Sequence, residues 1–190
     1  MSKIDVLCRN YQRICGLPWD RNVAGPQRVW IAVYDKEDER KLRLRIGRFE
    51  ETTRALGYSW HHLDLTDAFA RWLCSPPYAD FAESYFAAPT KLSQAALAHF
   101  KKTVATSLRD AFSALDFPDR TVVAVSGIAS LFGFVRISEV LPMVDGHIPG
   151  RLLVFFPGVY ENNNYRLLDA RDGWNYHAVP ITCDEGGLRG

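Results

Sequence analysis

Three apolar runs of strand length constrain this chain most: Val29-Trp30-Ile31-Ala32-Val33-Tyr34, Thr121-Val122-Val123-Ala124-Val125 and Leu152-Leu153-Val154-Phe155-Phe156. A strand with one wet face alternates apolar and polar residues, whereas a strand covered on both faces does not. These runs therefore predict a largely parallel sheet with helices over it. A fourth strand, Tyr58 to Leu65, follows a charged helix with apolar positions at Leu42, Ile46, Phe49 and Leu56. Strand, crossover helix and strand make a βαβ unit.

Helical spacing recurs at Ile4 to Cys15, Ala68 to Leu73, Leu92 to Leu115 and roughly Phe134 to Val144. The final third changes character. Glu161-Asn162-Asn163-Asn164 is a polar loop, Tyr165 to Asp169 reads as a returning strand, and Tyr176 to Ile181 as an edge strand because Pro180 lacks a ladder donor. The expected fold is a single three-layer α/β domain with a mainly parallel central sheet. It is Rossmann-like or P-loop-like without the nucleotide motifs, and has an antiparallel edge hairpin near the C-terminus. Residues 1–190 form one domain, 1–27 an N-terminal helix and loop, and 183–190 a flexible tail.

Composition narrows the function. With 23 Lys+Arg against 22 Asp+Glu, the net charge of +1 lacks the general attraction on which nucleic-acid binders rely. Arg43, Arg45 and Arg48 crowd one helix, but Glu50 and Glu51 follow them, so direct nucleic-acid binding is not expected. No stretch approaches the length of a membrane span, and the start Met1-Ser2-Lys3-Ile4-Asp5 has no signal-like core. The expectation is a cytoplasmic protein. Cys8, Cys15, Cys74 and Cys183 form no C-x-x-C pair, and reduced thiols are expected. His61 and His62 point to opposite faces of one strand and cannot share a metal.

Two loops invite a ligand reading. Ser126-Gly127 opens Gly127-Ile128-Ala129-Ser130-Leu131-Phe132-Gly133, between a buried strand and a helix, where open α/β sheets place phosphates. The spacing fails the P-loop pattern, and Phe134 stands where its lysine would follow. A tight turn is the simpler reading. Ser126, Gly127 and Ser130 could meet Glu161, Asn162 and Asn163 around a small polar ligand, although asparagines also suit a left-handed turn. Tyr160, Arg166, Arg171, Trp174 and Tyr176 are of the types that dominate protein-binding hot spots, with Trp174 equally able to staple a hairpin. No acid–base pair or activated nucleophile is evident, so catalytic, metal and cofactor residues are assigned to none.

Two stretches carry a family resemblance: Val125-Ser-Gly-Ile-Ala-Ser-Leu-Phe-Gly-Phe-Val-Arg136, and the run from Gly150 through Pro157-Gly-Val-Tyr-Glu-Asn-Asn-Asn-Tyr165 to Tyr176. Tyr34-Asp35-x-x-x-Glu39-Arg40 and Asp64-Leu65-Thr66 fit the same pattern. The chain thereby resembles the BrxB family of bacteriophage exclusion (BREX) systems. The resemblance implies a non-catalytic adaptor without a cofactor, working in phage restriction and host DNA methylation. Its implied partners are a PglZ phosphatase-like subunit, an AAA+ ATPase and a DNA adenine methyltransferase. The alternative is a degenerate nucleotide- or small-ligand-sensing domain with a site at loops 126–133 and 157–164.

Overall fold

A computed structural model describes residues 2–170 and 173–184. Helix α1 (Lys3–Cys15) starts at a reciprocal cap. The Ser2 hydroxyl accepts from the Asp5 backbone N–H at 3.2 Å, and the Asp5 carboxylate accepts from that of Ser2 at 3.1 Å, filling two donors that a helix end leaves open. Strand β1 (Val29–Tyr34) leads into α2 (Glu39–Ala55) and β2 (Ser59–Asp64). Helices α3 (Ala68–Leu73), α4 (Ala82–Ala87) and α5 (Gln94–Ser113) precede β3 (Thr121–Ser126), and α6 (Ile137–Val144) precedes β4 (Arg151–Glu161). Short strands β5 (Asn164–Leu167), β6 (Trp174–Asn175) and β7 (Val179–Ile181) complete the order.

The sheet runs β2-β3-β4-β1-β7, and each neighbouring pair along that path is parallel. Alternate side chains of the fully buried strands feed two cores. Val29, Ile31, Val33, Val123, Val125 and Val154 pack with α3, α5 and α6. Trp30, Ala32, Tyr34, Val122, Ala124 and Phe155 pack with α1 and α2. The unbroken apolar runs of the sequence thus correspond to strands with both faces covered.

β4 outlasts its parallel neighbours. Beyond Pro157 it pairs antiparallel with β5, and β5 with β6, so the antiparallel part of this mixed sheet extends a central strand, while β2 and β7 form the edges of the parallel path. At Gly158 an added Cβ would lie 2.1 Å from the Arg166 carbonyl oxygen, so only glycine lets β5 approach. The antiparallel arm made by the end of β4 with β5 and β6 packs onto the first core: Tyr165 is buried and its hydroxyl donates to the Ala178 carbonyl at 3.4 Å, while Tyr176, just after β6, donates to Asp145 at 2.9 Å. Of the flexible tail expected over 183–190, residues 185–190 lie outside the described residues, whereas Cys183 and Asp184 are held, the Asp184 carbonyl accepting from the Asn10 amide at 3.0 Å. Among the described residues no helix is long and apolar enough to cross a membrane.

Candidate functional site

The C-terminal ends of β1, β2 and β3 meet the first turns of α2. The Tyr34 hydroxyl donates to Glu39, and the Arg43 Nε donates to the same carboxylate at 2.7 Å. Arg43 also donates to Thr66 Oγ1 at 2.9 Å and reaches Asp64 at 3.4 Å, while the Thr66 N–H donates to Asp64 at 2.9 Å. Partial burial pulls the Asp64 carboxyl upward, but the two Thr66 hydrogen bonds and the Arg43 charge outweigh it and hold the carboxyl below its usual range. Burial, reinforced by Glu39, pushes the Tyr34 phenol far up. Both carboxylates are thus consumed by contacts within the chain.

Beside them the Ser126 hydroxyl lies 2.9 Å from His62 Nε2. Partial burial is the main reason that the imidazole titrates below its ordinary value. A serine nucleophile needs an exposed oxygen and a histidine oriented by a third group. Ser126 is only 2% exposed, and among the described residues no carboxylate hydrogen-bonds the His62 ring. Gly127, at φ +79°, brings the following turn so close that a Cβ would stand 2.4 Å from the Thr66 nitrogen. The place where open α/β sheets admit a phosphate is therefore filled by protein. This polar latch ties α2 to the strand ends.

The two predicted ligand loops are not brought together. Ser126 Oγ faces the α2 side with His62, and the Ser130 backbone closes a turn onto Gly127. Glu161, Asn162 and Asn163 form the tip of the arm, with Asn162 at φ 51° and Asn163 at φ 61°. That is the backbone of a two-residue hairpin turn. Glu161 faces Arg166 at 3.8 Å. Among the described residues no hydrogen bond or ion pair joins the two loops.

Of the predicted partner residues, Tyr160, Trp174 and Tyr176 join Phe156 and Tyr165 in an aromatic ladder, while Arg166 faces Glu161. Trp174 stacks on Tyr176 at 5.6 Å and on Phe156 at 5.9 Å, and meets Tyr165 edge-on at 4.9 Å; Tyr160 contacts Tyr165 at 4.6 Å. All are at least partly covered, so their first role is to hold the arm on the core. Arg171 lies outside the described residues. Arg43, Arg45 and Arg48 are engaged as well: Arg43 as above, the other two on Asp5 at 2.9 and 2.6 Å.

A different surface is open. Phe81 (62% exposed) and Phe86 (69%) lie at α4, and Phe132 (51%) precedes α6. Tyr85, in edge contact with Phe86, also contacts Phe69, which stacks on Phe134 at 4.0 Å, so Phe86 adjoins an aromatic seam. Phe132 also borders a cleft of about 680 Å³ between α5, the turn before α6 and the arm. The sequence marks the segment from Tyr78 to Pro89 only as aromatic and irregular. Its short helix gives no apolar periodicity from which an outward face could be read.

Compared with family models, with curated proteins and with solved structures, the chain gives no match in any of the three.

Proposed function

We propose that this chain is a non-catalytic docking subunit of a BREX anti-phage system, acting in the cytoplasm. It engages the PglZ-type subunit, the AAA+ ATPase or the adenine methyltransferase, and serves restriction and methylation through them. The observation that carries the docking reading is the exposure of three large rings, Phe81, Phe86 and Phe132, the last of which borders an open cleft. Exposed aromatic side chains of this size are enriched at protein–protein contacts. The latch at the strand ends supports a non-catalytic role, because its acids, hydroxyls and guanidinium are spent on one another. The assignment to BREX draws on the resemblance in the stretches Val125–Arg136 and Gly150–Tyr176. The experiment is co-purification of the tagged chain with each of the three subunits, using wild type and the F86D/F132D double variant. Both rings are exposed, so the variant keeps its thermal midpoint, while partner retention falls at least tenfold. Undiminished retention and intact phage resistance would remove the reading.

A further inference from the structure

The cleft between α5, the turn before α6 and the arm has a one-sided chemistry. Its apolar wall includes Leu97, Phe132, Phe156 and Trp174. Among its described lining residues the one carboxylate is Glu139, and Lys101 already holds it at 2.7 Å. Arg136 is the charged donor that this leaves over. It is exposed and makes no ion pair among the described residues. The Trp174 indole N–H is buried with no acceptor. A guanidinium is the preferred partner of a carboxylate.

We propose that this cleft takes an acidic segment of the partner protein, one that sets a Leu or aromatic side chain against Trp174 and a carboxylate against Arg136. The inference rests on the docking reading above and names the chemistry of the partner. Nucleic acid fits less well. Among the described lining residues Arg136 is the one cation without an ion pair, too little charge to neutralise a phosphate backbone, whose binding energy scales with the number of phosphates paired.

The test titrates the ¹⁵N-labelled full chain with a synthetic hexapeptide of alternating Glu and Phe. A Lys–Phe hexapeptide and a single-stranded oligothymidylate serve as comparisons. The Glu–Phe peptide shifts the Trp174 indole resonance, R136E weakens its binding at least tenfold, R136K weakens it less, and both variants keep the wild-type melting temperature. Equal binding of the Lys–Phe peptide, stronger binding of the oligonucleotide, or an indole that responds to none of the three overturns the proposal. If that happens while F86D/F132D still abolishes partner retention, docking stands and acid recognition falls. If the double variant is also without effect, both fall.

Discussion

At Gly127 an added methyl group would meet the Thr66 nitrogen at 2.4 Å and its hydroxyl at 2.8 Å, on a backbone already at φ +79°. Left-handed backbone costs a residue with a Cβ roughly 1–2 kcal/mol, and the clash adds to that because it is with backbone. G127A therefore destabilises the protein by at least about 2 kcal/mol in a denaturant titration; a loss below about 1 kcal/mol would mean that the turn relaxes freely. Sequence reading finds the tight turn, since a glycine after a buried strand is a local signal. It does not find Thr66 as the neighbour, because that contact joins two strands distant in the chain. The same holds for Arg43. Its spacing places it among exposed charges, whereas its Thr66 and Asp64 partners come from the end of β2.

Elements behave similarly. β1 and β3 are legible because six consecutive buried positions in each leave no polar gap. β4 is legible only as far as Phe156. Pro157-Gly158 carries turn chemistry, yet here the strand runs through it, Pro157 standing opposite Tyr34 in the parallel ladder and Gly158 opposite Leu167 in the antiparallel one. A bend inside a strand and a turn between strands use the same residues. The arm that follows is held by rings rather than by a long ladder, and Tyr165, 1% exposed, is its anchor. Y165A leaves a large cavity and costs about 3–5 kcal/mol. Y165F costs within about 1 kcal/mol, because the hydroxyl it removes makes only a 3.4 Å bond to Ala178. Chemical denaturation of the two variants measures the difference, and near-equal losses would show that the hydroxyl, not the ring, fixes the arm.

For the whole molecule, the order β2-β3-β4-β1-β7 is set by pairings such as Trp30 with Leu153 and Ile31 with Val154. Periodicity reports that a strand is covered twice and is silent on which strand lies beside it, so the α/β class is readable and the topology is not. That topology has an energetic consequence. The two cores share their strands: Ile31 points into one and Trp30 into the other. Neither core can persist once the sheet between them is lost, so they unfold together. L7A removes a fully buried side chain from the α1–α2 side and F100A one from the α5 side. Each costs about 2–5 kcal/mol, which for a chain of this size lowers the melting temperature by roughly 4–20 °C. Both variants shift one transition, seen alike by far-UV and near-UV circular dichroism. Two separated transitions, with each variant moving only its own, would show that the faces are independent and that the central strands do not couple them.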